Sequence, residues 1–562
     1  MKRVLPVLAA ALVIALGMAG CAKDEGPDKG NNPITNSAWD VNEQPRDNVQ
    51  DGGEFRGAFG SEVETWNLNT ATGNDYELKF ALSPLFENWY LQDGSGNHTM
   101  NTNYLVSLTD EMVDGKLVVT FKISDKAVWN DGAPIVAADW IATWNALKGE
   151  DEDYSVASSD GWDEIETMVQ GATDKDVIIT FQAAYPDWVG LFVGSPMRAE
   201  SCSDAKTFND GWGEYKLGWW SGPYVVTDYA PSSFTITMER NPDWWGDTGK
   251  LDKIIFKFVD SSQMATAFAN GELDYIDIGA NANNYAQAKD RPDAEIRQSG
   301  GPNYRHFTFN SKSEVLQDLN VRQAIVMGLD RDQITESDLA GLPIDPVKAS
   351  KNSNLWMQGQ DGYTDWAEIT GLKYDPEAAK AKLEEAGYEM GADGYYAKDG
   401  KTLELGFSVL TGVRTSENEG QLAQDQLKEI GIKLNLVPVN TATDWPRVLV
   451  EHEFDIIAFS WMGTAFPLAN IGQLFGEGSD SNYAQLTTEK VEELKSKINT
   501  ENDPATRIAM AQEVDQALWE NVHTLPLYQR PALTGVTKGL ANFGSLGLAQ
   551  VPYAWVNVGF QK

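Results

Sequence analysis

The stretch Phe121–Leu147 reads FKISDKAVWNDGAPIVAADWIATWNAL and contains two aspartates, Asp131 and Asp139, each close to a tryptophan. Carboxylate pairs beside aromatic rings are typical of sugar-cleaving enzymes. The triplet Asn130–Gly132, however, predicts a turn, because glycine tolerates positive φ and the Asn and Asp side chains bond to nearby backbone. Asp139 lies about one turn inside a predicted helix, where the helix dipole favours an acid. We therefore expect both aspartates to be structural rather than a catalytic acid/base pair.

Strand and helix patterns alternate through the rest of the body. Period-two hydrophobic patterns predict strands at Gly53–Phe59, Leu117–Ile123, Val177–Ala183, Phe234–Arg240, Lys253–Val259, His306–Asn310, Leu434–Asn440 and Phe454–Trp461. Helical patterns cover Met264–Gly271, Val321–Asp330, Asp375–Tyr388 and Glu419–Gly431. This alternation predicts a mixed α/β protein with more than one lobe.

The N-terminus has the features of an export signal. Two basic residues precede the apolar run Val4–Met18, which at about 15 residues is too short to span a bilayer. The end of this run, Met18–Cys21, resembles a bacterial lipobox, so residues 1–21 are predicted to be a lipoprotein signal peptide with Cys21 as the lipidated residue. An ordinary signal peptide cleaved near Gly20 is the alternative. Residues 22–52 are rich in Asp, Asn, Gly and Pro, which predicts a flexible tether.

Composition excludes several function classes. The 562 residues carry a formal net charge of −39, so nucleic acid and anionic lipid are unfavourable partners. The two cysteines leave no disulfide if Cys21 carries lipid, and Cys202 is predicted to be a buried small hydrophobe. The four histidines are not spaced as metal ligands, and no nucleotide-binding or nucleophile motif is present, so we expect neither a cofactor nor an enzyme.

Several long motifs carry a resemblance to a known family. These are the opening stretch and, further along, SGPYVVTDYAPSSFTITMERNPDWWG (Ser221–Gly246), LDKIIFKFVDSSQMATAFANGELDY (Leu251–Tyr275) and FNSKSEVLQDLNVRQAIVMGLDRDQI (Phe309–Ile334). In this order they resemble the extracellular solute-binding proteins of peptide-type ABC importers, the oligopeptide-, dipeptide- and nickel-binding family. The resemblance covers roughly Gly53 to Gln529, and the lone histidines make a nickel role weak.

The resemblance implies an α/β fold, the two-lobe periplasmic-binding-protein clamshell with an extra subdomain in lobe I (cluster C type). Lobe I would comprise residues 53–305, with the inserted subdomain at about 76–210, and the return segment 525–562. Lobe II would be residues 306–524, with hinge segments near Arg305–Phe309 and Thr524–Leu527. A monomer, anchored by lipid to the outer face of the cytoplasmic membrane, would deliver its ligand to ABC permease and ATPase subunits.

The resemblance also indicates cleft residues. The segment Ser460, Trp461, Met462, Gly463, Thr464 aligns with the family segment whose final aspartate binds a peptide amine, but here that position is Thr464. Arg414 matches the arginine that meets a peptide carboxylate, which guanidinium geometry suits. Further expected ligand contacts, each with packing as the alternative, are Trp66 and Asn67 at the rim of lobe I, Asn310, Asn482 and Tyr483.

Two ligand classes remain open. Most relatives of this type bind oligopeptides, and Arg414 favours a ligand with a carboxylate. Nineteen tryptophans and the absent amine-binding aspartate favour stacked sugar rings, so an oligosaccharide is the alternative. We expect an oligopeptide-binding component of an ABC importer.

Overall fold

The computed structural model describes residues 39–60, 63–70, 72–159, 161–440, 444, 446–479, 481–549, 551–552 and 554–562. The predicted signal peptide, the lipidation residue Cys21 and the predicted tether up to residue 38 lie outside the described residues. Within the described part, no helix is both long and apolar enough to cross a membrane.

The elements follow one another in mixed order. Strands β1 to β21 are Glu54–Phe59, Tyr90–Gln92, His98–Met100, Leu105–Val113, Lys116–Ile123, Ile165–Gln170, Asp176–Phe181, Tyr224–Ala230, Thr235–Arg240, Lys253–Phe258, Tyr275–Asp277, Ala294–Phe309, Glu389–Met390, Tyr396–Lys398, Lys401–Thr402, Glu404–Leu410, Lys433–Val439, Ile456–Met462, Thr524–Thr537, Leu540–Ala541 and Gly559–Phe560. Helices α1 to α14 are Tyr76–Leu82, Ala137–Leu147, Ala205–Asp210, Ser261–Ala269, Ala282–Asp290, Leu319–Gly328, Arg331–Asp338, Pro346–Ala349, Trp366–Thr370, Pro376–Glu385, Arg414–Glu429, Ile471–Phe475, Glu489–Thr500 and Pro504–Glu520. The predicted strands and helices are confirmed, and α11 begins five residues before its predicted start, at Arg414.

Lobe I contains two four-stranded sheets. One has the order β1-β10-β9-β8, with β1 parallel to β10, and packs on a core that includes Phe55, Phe256 and Trp555. The other, in the inserted subdomain, has the order β4-β5-β7-β6 and packs on α2 through a separate core that includes Phe121 and Trp140. The apolar alternation of β5 and β7 therefore faces the subdomain core, as expected for half-buried strands.

A six-stranded sheet joins the lobes, with the order β11-β19-β12-β18-β16-β17. Its two long central strands, β12 and β19, pair antiparallel from Ala294 opposite Thr537 to Thr308 opposite Thr524. The register is interrupted between Gly300 and Tyr304, next to the first predicted crossing segment. Both predicted crossing segments thus lie side by side in one sheet.

Lobe II packs its helices around the other half of this sheet. One core includes Phe307, Phe407 and Leu427, and a second, helical core includes Trp356, Leu494 and Leu518. Helix α10 begins as predicted, with the Asp375 side chain accepting from the backbone N–H of Ala378 at 3.0 Å, a local cap that the sequence specifies directly.

The predicted tether is wrong for residues 39–52. The Asp40 N–H donates to the Ser545 carbonyl at 2.8 Å, the Gln50 N–H donates to the Phe560 carbonyl at 2.7 Å, and Val49 is fully buried. These residues therefore belong to the folded body. Their polar composition misled the prediction because their partners lie about 500 residues away in the chain.

The opening aspartates have structural contacts. The buried Asp139 carboxylate accepts from the backbone N–H of Val136 at 2.9 Å and of Ala199 at 2.9 Å, and from Trp129 Nε1 at 3.3 Å. Asp131 accepts from the Ala133 N–H at 3.0 Å within the predicted turn. Asp139 thus ties the start of α2 to a distant loop, which explains both the residue and its position without a substrate.

Candidate ligand-binding cleft

A cavity of about 490 Å³ opens between the lobes beside the long strands. We call it the interlobe cavity; its lining includes Asp277–Asn283, Ser337, Asp338, Arg414, Asn418 and Arg530. The first range lies in the predicted lobe I, the next four residues belong to α7 and α11 of the predicted lobe II, and Arg530 lies on β19. Both lobes therefore contribute to one concave surface, the usual setting for a ligand site.

Two arginines line this cavity, Arg414 and Arg530, and they differ from the others in their hydrogen bonding. Every other arginine in the described residues donates a hydrogen bond through its guanidinium group. Arg414 and Arg530 form no such bond and no salt bridge within the described part of the chain. Arg414 is also the first residue of α11, where the helix dipole disfavours a cation. In a protein with 83 acidic residues, this pair is available for an anion from outside the chain.

The acidic side chains near this arginine pair either bond to other groups or have a raised pKa. Arg305 is held by Glu419 through bonds of 2.6 and 2.5 Å, and Tyr528 donates to Asp338 Oδ2 at 3.2 Å. Burial, reinforced by the Glu419 carboxylate, raises the pKa of Asp338 to about 9. Asp338 is therefore protonated near neutral pH. Asp277 accepts from its own loop, from the Gly279 N–H at 2.9 Å.

The strand with the aligned peptide-binding segment has one open edge. Ser460, Trp461 and Met462 pair through β18 with Arg305, Tyr304 and Asn303 of β12. On its other side β18 pairs with β16 only at Ile456 and Ile457. Beyond residue 457 that edge has no strand partner among the described residues, so its backbone groups can receive an extended chain.

Aromatic rings accompany this edge. The Trp461 ring lies parallel to the Tyr483 ring, with centroids 5.6 Å apart, and parallel to the His306 ring at 6.2 Å. Trp461 is half-buried and Met462 is 45% exposed, so both can be reached from outside. Thr464 carries no charge, and its hydroxyl accepts from the Phe466 N–H at 3.1 Å.

The structure places the predicted asparagines elsewhere. The Asn310 amide donates to the carbonyls of His452 and Phe454 and accepts from the Lys312 N–H. The Asn482 amide donates to two carbonyls of its own loop and bonds His523 Nε2 at 3.0 Å. Both side chains are buried within lobe II, which favours the packing alternative for them.

Trp66 and Asn67 lie in lobe I. Trp66 is 1% exposed and its ring packs against Tyr215, Trp220 and Tyr229. The Asn67 amide donates to the Phe208 carbonyl at 2.8 Å. Both side chains are therefore buried, and their contact with a ligand stays a prediction. Both residues line a second cavity in lobe I, separate from the lining of the interlobe cavity.

Sequence reasoning missed Arg530, Asp277 and Asp338. Arg530 lies in a strand pattern in which an arginine carries no signal of its own. Arg530 acts electrostatically on Asp277, and only its lack of a hydrogen-bond or salt-bridge partner among the described residues distinguishes it, a property that depends on the fold.

Other chemistry is sparse in the described residues. No group of three or more His, Cys, Asp or Glu side chains there is placed to hold a metal ion. Cys202 is buried and unpaired, as predicted, and burial raises the pKa of its thiol to about 12. The thiol is therefore inert at neutral pH.

Solved structures share this architecture. The periplasmic EDTA-binding protein EppA superposes with a TM-score of 0.84 and 26% sequence identity, covering 93% of this chain and 98% of that chain. The oligopeptide-binding protein AppA from Bacillus subtilis, solved with a nonapeptide, superposes with a TM-score of 0.73 at 19% identity, covering 92% and 100%. The second likeness shows the fold alone. The protein is a two-lobe α/β clamshell of the periplasmic-binding-protein class, which confirms the predicted fold class.

Sequence relatives narrow the class to a family. Residues 85–483 match the family described as bacterial extracellular solute-binding proteins, family 5. The oligopeptide-binding protein OppA from Mycobacterium tuberculosis is 30% identical over 559 residues, which cover 98% of this chain and 93% of that protein. The chain belongs to the family 5 bacterial extracellular solute-binding proteins, and the resemblance inferred from its motifs is confirmed.

Proposed function

We propose that the protein is the substrate-binding component of an ABC importer and captures oligopeptides between its lobes. The observation that carries this proposal is the pair Arg414 and Arg530, the two arginines of the described chain without a guanidinium partner, on one interlobe cavity. A planar guanidinium binds a carboxylate through two parallel hydrogen bonds, and the C-terminus of a peptide supplies that group. The relatives named above favour a peptide over the oligosaccharide alternative.

Backbone pairing and aromatic packing would hold the rest of the peptide. The open edge of β18 offers strand addition along Ser460–Met462, and Trp461 and Tyr483 offer ring faces beside it. Thr464 supplies no negative charge for the peptide amine. We therefore propose that the N-terminus is not fixed by a salt bridge at this position and that binding tolerates an acetylated N-terminus.

We propose a closing motion between the two lobes of this clamshell. We propose that β12 and β19 form the hinge between lobe I and lobe II, near the interrupted register at residues 300–304. Closure would bury the ligand and create the surface that the permease recognises, and the ATPase subunits would act with the permease. We also propose that the protein binds its ligand as a monomer.

We also propose membrane attachment through Cys21. Metabolic labelling with palmitate should mark the wild-type protein and leave Cys21→Ala unmarked. Equal labelling of both proteins would instead favour the ordinary signal peptide.

Calorimetry with matched peptides tests the ligand. Peptides with a free C-terminus should bind tightly, and their C-terminal amides should bind more weakly by about 2 kcal/mol, the net value of a charge-assisted hydrogen bond. Arg414→Ala and Arg530→Ala should each weaken the free acid and leave the amide almost unchanged. N-acetylation should have little effect.

Three outcomes would contradict the proposal. Equal affinity for acid and amide peptides would remove the role of the arginines. A strict requirement for a free amine would refute the argument from Thr464. Binding of cello-oligosaccharides without any peptide binding would establish the alternative.

A further inference from the structure

Lobe I contains a second cavity, of about 300 Å³, whose lining combines tryptophans with asparagines and serines. We call it the tryptophan cavity; six tryptophans line it: Trp66, Trp129, Trp162, Trp212, Trp219 and Trp220. The rings of Trp212 and Trp219 lie 4.6 Å apart between centroids, and all but Trp162 are buried. The volume is at the low end for ligand sites, which are about 300–1,000 Å³, so one ring system fits better than a chain.

Three of the six indole N–H groups have hydrogen-bond partners. The indole N–H of Trp129 donates to Asp139, that of Trp212 to the Ser201 carbonyl and that of Trp219 to Glu200. Trp220 Nε1 and Ser221 Oγ also line the cavity and are buried without a partner in the described residues, so they can donate to an acceptor group on a guest. The tryptophan ring faces suit an aromatic guest, which gains from offset or edge-to-face ring contacts.

The cavity has one charged group at its edge, Lys79 of α1. The side chain is exposed to solvent, and its ammonium forms no salt bridge or hydrogen bond within the described residues. Because it lies at the edge of the cavity, the Lys79 ammonium can pair with a negative group on the guest.

Helix α1 also links this cavity with the interlobe cavity. Tyr76 and Lys79 are three residues apart and share one face of the helix. The Asp277 carboxylate, which lines the interlobe cavity, acts electrostatically on Tyr76, and the Phe80 ring stacks on Tyr275 at 5.3 Å. Helix α1 therefore carries Lys79 of the tryptophan cavity and interacts through Tyr76 with Asp277 of the interlobe cavity.

We propose that the tryptophan cavity is the subsite for an aromatic ring of the ligand, with a carboxylate next to that ring placed at Lys79. If the ligand is a peptide, as proposed above, the subsite selects an aromatic side chain near an acidic group. This extension rests on the proposed function for its peptide form, but the ring-binding site itself can be tested without a peptide.

Three small probe molecules distinguish the contribution of the aromatic ring from that of the carboxylate. Phenylacetate carries both groups, benzyl alcohol carries the ring alone, and acetate carries the charge alone. Titration followed by tryptophan fluorescence and calorimetry should show phenylacetate binding at least about tenfold tighter than either of the others, a 1.4 kcal/mol difference. Phenylacetate binding no tighter than acetate would overturn the proposal.

Variants assign the binding to the cavity. Lys79→Met should reduce phenylacetate affinity to that of benzyl alcohol, and Trp162→Ala, at the half-buried wall, should weaken both ring probes. Lys428→Met, an exposed lysine on α11 without a salt bridge in the described residues, is the matched control and should change nothing. Unchanged phenylacetate binding in both cavity variants would overturn the proposal.

Experiments with peptides distinguish the proposed ring subsite from the proposed oligopeptide function. In a pentapeptide series, phenylalanine and alanine are compared at each position in turn. For the wild-type protein, alanine should weaken binding about tenfold or more at one of these positions. Lys79→Met and Trp162→Ala should reduce this difference in affinity between the phenylalanine and alanine peptides. If phenylacetate behaves as expected but no peptide binds, the oligopeptide function fails and the ring subsite stands. If peptides bind without any aromatic preference, the peptide form of the subsite is refuted.

Discussion

Asp187 and Arg507 form an ion pair, and we expect lobe closure to depend measurably on it. Asp187 precedes a short turn of the inserted subdomain, and Arg507 lies in the first turn of α14 in lobe II. Arg507 Nη1 donates to Asp187 Oδ1 at 2.8 Å, and Nη2 donates to the second oxygen. The side chains are only 12% and 10% exposed. Nearby, the His98 ring of the subdomain stacks on Phe466 of lobe II at 4.9 Å.

The perturbation is Arg507→Ala. Removing one partner of a fully buried pair typically costs about 3–5 kcal/mol, because the remaining charge stays desolvated. The small residual exposure lowers this cost, and in an open form Asp187 would be hydrated, so the cost falls on closure alone. We expect about 2 kcal/mol, which corresponds to about 30-fold weaker ligand binding.

The assay is calorimetry of one tightly bound peptide, with small-angle scattering of the free and bound protein to measure the closed fraction. Arg507→Ala should bind about 30-fold more weakly and remain more extended at equal ligand saturation. Arg447→Ala is the matched control, because Arg447 pairs with Glu453 inside lobe II at about half exposure on both sides. Such exposed pairs contribute about 0–1 kcal/mol, so the control should bind as the wild type does.

Thermal unfolding separates closure from damage to the fold. Both variants should unfold near the wild-type temperature in the absence of ligand. Arg507→Ala binding within threefold of the wild type would refute the reasoning that this ion pair stabilises the closed form.

Three further predictions concern single side chains. Asp139→Ala should lower the free energy of unfolding by about 2–4 kcal/mol, because it removes three hydrogen bonds to buried groups; urea unfolding measures this, and a loss below 1 kcal/mol would contradict it. Asp338→Asn should become more stable relative to the wild type as pH rises from about 4 towards 9. The raised pKa keeps Asp338 protonated in the folded wild type, so the wild type loses the stabilising contribution of this group over that interval and the variant does not. Melting temperatures at pH 5 and 8.5 test this, and a constant difference between the two proteins would refute it. Trp461→Ala should weaken peptide binding by about 2–4 kcal/mol if the ring is an anchoring contact, and an unchanged calorimetric affinity would show that it only packs within lobe II.

Local rules determined much of this protein from the sequence alone. The alternation of β5 and β7, the Asp375 cap of α10 and the bond from the Val136 N–H to Asp139 follow from neighbours within about one helical turn or one strand pairing. The order of the long motifs gave the family and, with it, the clamshell fold. Arg414 was found in the same way and does line the cavity between the lobes.

Tertiary structure decided the rest, because the decisive property was the presence or absence of a distant partner. Arg414 and Arg530 are 116 positions apart, and nothing near either one in the chain shows that both guanidinium groups remain unpaired on one cavity. Val49 is buried by the far end of the chain, although its own segment reads as a tether. Asn310 has the residue type of a ligand contact, yet the loop at residues 452–454 uses its amide donors. Sequence specifies which groups a residue carries, whereas the packing of remote segments determines whether those groups are satisfied within the protein or left for a ligand.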